Sequence, residues 1–89
     1  MKLYGLLGYS HGGATLLTVM SSGGRQAVVD YLEPDPARVH VLTFETGLPQ
    51  YHEMVSGGLA DLVARHDIEV LDFPAWTAKK AELGDSIYR

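Results

Sequence analysis

The chain has 89 residues, 46% of them hydrophobic and 20% charged, with a formal net charge of -4, which excludes a disordered chain and leaves room for one small domain. It has no cysteine, which excludes disulfides, thiolate metal sites and cysteine nucleophiles and fits a cytoplasmic setting. No basic run exceeds Lys79-Lys80, so no nucleic-acid partner is expected; the apolar start, Met1–Tyr9, is too short for a membrane segment, and His11-Gly12-Gly13 interrupts any signal-peptide core.

Residues 2–9 are a short apolar run without helical spacing. Leu3, Leu7 and Tyr9 fall on one side and Tyr4 and Leu6 on the other, which predicts a strand buried on both faces. Gly12-Gly13 ends it. Residues 14–22 place Leu16, Leu17 and Met20 on one stripe and predict a helix, with Gly23-Gly24 as its stop. Residues 26–32 predict a second short helix, and Glu33-Pro34-Asp35-Pro36 a loop. Residues 39–44, Val-His-Val-Leu-Thr-Phe, predict the second strand. Residues 45–49 form a turn, and residues 50–66 carry the clearest helical pattern in the chain, through Tyr51, Met54, Val55, Leu59, Leu62 and Val63. Residues 68–73 predict a third strand ended by Pro74, and residues 75–83 a last short helix.

The order β-α-β-α-β-(α) predicts an α/β fold: a Rossmann-like domain of two or three layers on a three-stranded parallel sheet. The strands are apolar on both faces, and the tail from Ala75 covers only part of the second face. A homo-oligomer, or a partner protein on that face, is therefore expected.

In an open parallel sheet, ligands sit beyond the carboxyl ends of the strands. The turn Ser10-His11-Gly12-Gly13-Ala14-Thr15 falls there, and so does Glu45-Thr46-Gly47-Leu48-Pro49. Glycines allow close backbone approach, and the start of a following helix favours an anion. The plain alternative is a tight turn with Ser10 as an N-cap. Taken together, Tyr9–Leu17 and Val41–Pro49 resemble the sulfonucleotide reductase and ATP sulfurylase small-subunit group of the adenine-nucleotide α-hydrolase, or PP-loop, superfamily. Ser10, Gly12 and Thr15 occupy places of its first motif, and Phe44, Glu45, Thr46 and Gly47 match its second; the likeness covers residues 3–73. It implies an adenine nucleotide as ligand. The charged pair of the first motif is Gly13-Ala14 here, and the reductase cysteine is absent, so the resemblance implies binding without chemistry.

Two other patterns compete. Gly8-Tyr9-Ser10-His11-Gly12 matches the Gly-x-Ser-x-Gly elbow of α/β-hydrolases, with Ser10 as nucleophile and Asp72 as acid. No histidine follows Asp72, and His66 precedes it. Residues 62–70 and 77–84 resemble the second half of small sulfur-relay proteins of the DsrE type, with Asp72-Phe73-Pro74 where active members carry a cysteine. The four histidines lack metal-ligand spacing. His11 alone lies in the glycine turn. Trp76 reads as a residue packed on the sheet, with an interface anchor as the alternative.

The sequence therefore predicts a nucleotide- or phosphate-binding protein, non-catalytic or an accessory subunit. Ser10, His11, Gly12, Gly13 and Thr15 would cradle the anion, and Glu45, Thr46 and Gly47 would flank the nucleotide. The alternatives are a protein-interaction module or inhibitor without a small ligand, and a serine hydrolase-like fragment using Ser10.

Overall fold

The computed structural model describes residues 1–9, 15–35, 46–53 and 56–89. Among these, four strands share one sheet: β1 (Tyr4–Tyr9), β2 (Thr15–Met20), β3 (Gln50–His52) and β4 (Glu69–Val70). Three α-helices accompany them: α1 (Arg25–Leu32), α2 (Gly58–Arg65) and α3 (Phe73–Leu83), and a 3-10 turn, Gly84–Tyr88, follows α3. The sheet order is β3-β2-β1-β4. The protein is thus a small α/β fold on a mixed sheet. No helix among the described residues is long and apolar enough to cross a membrane.

The three-stranded parallel sheet expected from the sequence is corrected at its second element. Residues 15–20 are a strand rather than a helix, antiparallel to β1 in a register that sets Tyr9 opposite Thr15 and Tyr4 opposite Met20. The apolar stripe of Leu16, Leu17 and Met20 fits a helix face, but it equally fits a strand buried on both sides. Two features favour the strand. Thr15, Thr18 and Val19 are β-branched, which costs rotamer freedom in a helix and suits a pleated surface. A helix of nine residues is also marginal by itself, whereas an apolar strand five residues upstream offers a ready ladder. Gly23-Gly24 then does not stop a helix; Gly24 is the N-cap of α1, at φ 95.

The long helix expected over residues 50–66 divides at its glycine pair. Residues 50–52 are β3, which pairs antiparallel with β2, Thr18 opposite Gln50. Gly57 takes a left-handed φ of 81 and caps α2. The parallel pairing that the sequence led one to expect survives in one place: β1 and β4 run parallel, Tyr4 opposite Glu69 and Gly5 opposite Val70. The third strand is shorter than residues 68–73, because Asp72 caps α3 through Ala75 N–H at 2.9 Å and Pro74 sits in that helix's first turn. The expected strand at residues 39–44 lies outside the described residues.

Strand alternation sorts the core into two clusters. Leu17, Val19 and Tyr51 face α1 and α2, and pack with Leu3, Val28, Leu32, Leu59, Leu62 and Ile68. Met20 faces the other way and packs with Leu48, Trp76 and Ile87, flanked by Tyr4, Leu6, Leu71 and Leu83. Burying each such aliphatic side chain contributes about 1.5–3 kcal/mol. The sheet is therefore the middle of three layers. Trp76 is buried in the core, as the packing reading expects. Helix α3 and the 3-10 turn cover the second face, so that face does not itself require a second copy. The Arg89 carbonyl accepts the Arg25 N–H at 2.7 Å, at the start of α1.

Candidate functional site

A cavity of about 330 Å³ opens between α2 and the end of the sheet where β1 finishes and β2 begins. Its sheet side is Leu7, Thr15 and Val70, and its helix side Leu59, Ala60 and Val63. The amphipathic spacing of α2 produces this wall: Leu59 and Leu62 are buried, while Val63 lies one turn on from Leu59 beside the opening. Leu7 and Val70 are about half exposed and form the mouth.

Two polar side chains interrupt the apolar lining, those of Thr15 and Glu53. Glu53 is held in place through its backbone, whose N–H donates to the Thr15 carbonyl at 3.0 Å. This bond extends the β2–β3 ladder by one residue and sets the two polar residues side by side. Glu53 has no ion-pair partner among the described residues. A carboxylate and a hydroxyl at the edge of an apolar cavity can fix the orientation of a small ligand, the carboxylate by accepting from an N–H or ammonium.

Of the residues expected to hold an anion, only Thr15 is described at this end of the sheet. Ser10, His11, Gly12, Gly13 and Glu45 lie outside the described residues. Thr46 and Gly47 are placed elsewhere. They precede β3, whose first residues pair with the Thr18 end of β2; the Pro49 carbonyl accepts from Val19 N–H at 3.0 Å. At about 3.4 Å per residue, Val19 is some 13–14 Å along the strand from Thr15. Gly47, at φ 82, instead packs beside the Tyr88 ring. The structure thus does not bring Thr46 and Gly47 together with Thr15. Nor does Thr15 open a helix, so no helix dipole begins at that residue to attract an anion.

The described partners of the hydrolase pattern are committed elsewhere. Asp72 accepts from the α3 backbone. His66 Nε2 lies 2.5 Å from Asp35 Oδ2, and Tyr31 meets the His66 ring edge-on at 5.0 Å between centroids. Among the described residues no group of three or more histidines and carboxylates is arranged to hold a metal. The pocket was missed by sequence reasoning. Its lining comes from four separate elements and the residue after β3, and Glu53 shows no pattern with Thr15 until β2 and β3 pair.

No family model, curated protein or solved structure matches the chain. The described residues define a small three-layer α/β protein with an apolar pocket lined by Leu7, Thr15, Val70 and the α2 face.

Proposed function

We propose that the protein binds a small molecule with an apolar ring and an anionic end, such as an adenine nucleotide, and performs no chemistry on it. The observation that carries this reading is the position of the pocket. It opens at Thr15, next in sequence to the Ser10–Gly13 run that the PP-loop resemblance assigns to a phosphate. In this reading the base lies between Leu59 and Val63 on one side and Leu7 and Val70 on the other. Its amino group donates to the Glu53 carboxylate. The Thr15 hydroxyl donates to the phosphate, and Ser10, His11, Gly12 and Gly13 are the further residues that the resemblance assigns to it.

The reading also sets a scale for affinity. Among the described residues, neither a helix start at Thr15 nor a cation in the pocket lining assists the phosphate. Binding near the millimolar range, about -4 kcal/mol, is expected. Calorimetric titration with AMP tests this, with adenosine as the phosphate-free control. Ala60 is exposed on α2 and borders the cavity, so Ala60→Phe fills the pocket with little disturbance to the core. The expected result is heat with AMP, less with adenosine, and none with the Phe variant. Absence of heat with both ligands at several millimolar rejects the reading.

A further inference from the structure

Strand β1 is paired along its whole length on one side only, by β2. On its other side β4 reaches no further than Tyr4 and Gly5. There the Glu69 and Leu71 amides donate to the Leu3 and Gly5 carbonyls at 3.0 and 2.8 Å. Backbone groups alternate sides along a strand with a period of two. The N–H and C=O of Leu7 and Tyr9 therefore point the same way as those of Leu3 and Gly5, past the end of β4. Among the described residues no strand lies beyond them. The side chains standing along this edge are apolar and exposed, Leu7 at 49% and Tyr9 at 80%. Sheet proteins that stay monomeric guard such an edge with lysine, proline or a bulge. Leu7-Gly8-Tyr9 has no charge and no proline, and its register with β2 is unbroken.

We infer that this edge pairs with the same edge of a second copy of the chain, antiparallel, about a two-fold axis through Gly8. That axis sets Leu7 opposite Tyr9 of the second copy and Tyr9 opposite its Leu7. Both residues offer N–H and C=O outward, so each pair exchanges both of its hydrogen bonds. The aliphatic and aromatic side chains then meet across the seam on one face. Gly8 falls at the non-bonded position on the axis, where the two backbones approach most closely, about 4.5 Å between Cα atoms. A side chain there would meet its own copy across the axis, and Gly8 carries none. The edge is self-complementary, which selects a second copy over an unrelated strand. It is also uncharged, although each copy carries a net charge of -4. The Leu7, Gly8 and Tyr9 pairs therefore set no like charges opposite one another.

Sedimentation equilibrium, combined with amide hydrogen exchange, tests the inference on the full chain. Leu7 also borders the pocket, so the variants are made at Tyr9, which does not line it. The Tyr9 N–H points away from β2, so Tyr9→Pro removes an edge donor without breaking the hairpin; Tyr9→Lys adds a charge to the same edge. The expected result is a mass rising from one chain toward two between about 10 μM and about 1 mM. Exchange at the Leu7 and Tyr9 amides should slow at least tenfold over that range, and both variants should keep a one-chain mass. A one-chain mass for the unaltered protein at about 1 mM overturns the inference. So does a dimer in which the Leu7 and Tyr9 amides gain no protection.

Discussion

Asp35 shows how much one buried charge governs in a chain of this size. Its side chain is 2% exposed and lies between His66 Nε2 and Arg65 Nη1, the latter at 3.5 Å. It ties the residue just beyond α1 to the C-terminal end of α2. Asp35→Ala removes the acceptor from both, and urea unfolding should show a loss of about 1.5–3 kcal/mol. Arg65 is half exposed and also pairs with Asp61, so Arg65→Ala should cost under about 1 kcal/mol in the same assay. Two glycines make a second contrast. Gly57 and Gly24 both have positive φ, but an added Cβ at Gly57 meets nothing, while at Gly24 it would lie 2.6 Å from the Arg89 oxygen. Gly57→Ala should cost about 1–2 kcal/mol from backbone strain alone. Gly24→Ala should cost more, and thermal unfolding of the two variants should rank them in that order. Neither contact could be read from the sequence. Asp35 meets His66 across 31 positions, and Gly24 meets Arg89 across 65 (89 − 24). Lys79 adds a pH effect. Its ammonium, hydrogen-bonded to Glu82 at 3.0 Å and set over the Tyr4 ring, is held above its ordinary value of 10.5. The stabilisation from that charge is complete below 10.5 and is lost as pH rises through the higher folded-state value. The stability difference between Lys79→Met and the unaltered protein should therefore shrink in strongly alkaline buffer.

Among the elements, α3 has the best-defined start. Asp72 caps it, and Pro74 follows within the first turn. Asp72→Ala should lower stability by about 1 kcal/mol, and Asp72→Ser should restore most of it, by chemical denaturation followed through helical circular dichroism. The sequence shows a helix here, but Pro74 fits the end of a strand as well as the first turn of a helix, so the boundary falls later in the expectation than in the structure. Residues 26–32 were legible as a helix, since α1 exposes one face to solvent and so keeps a clear polar–apolar contrast. Residues 14–22 were not. A strand buried on both sides has no polar face, and its apolar positions then satisfy a helical stripe as easily as a strand. That ambiguity carried over to the candidate site. The expected anion cradle relied on a helix beginning after the glycine turn, and Thr15 begins a strand. Thr15 remained a candidate for a different reason, its place beside the pocket.

Across the whole molecule, the α/β class and the need to cover both sheet faces were legible, because apolar residues alternate to both sides of residues 2–9. Which elements would do the covering was not. Trp76 anchors that cover, with Met20, Leu48 and Ile87 around it. Trp76→Ala should cost about 3–5 kcal/mol. At roughly 0.05–0.15 kcal/mol per residue, a chain of this length has about 4–13 kcal/mol in all, so the variant should lose a large share of its stability and its thermal midpoint, followed by circular dichroism, should fall steeply. The mixed sheet has one more consequence, for the order of folding. The β1–β2 ladder closes over a handful of residues, while Tyr4 must wait for Glu69. Local contacts form before distant ones because their loop-closure entropy is smaller. Substitutions in the hairpin, such as Leu17→Ala, should slow refolding in stopped-flow experiments, while Val70→Ala should chiefly speed unfolding. Until β4 docks, the outer side of β1 lies bare from Tyr4 to Tyr9, an unpaired strand edge open to aggregation while the chain folds.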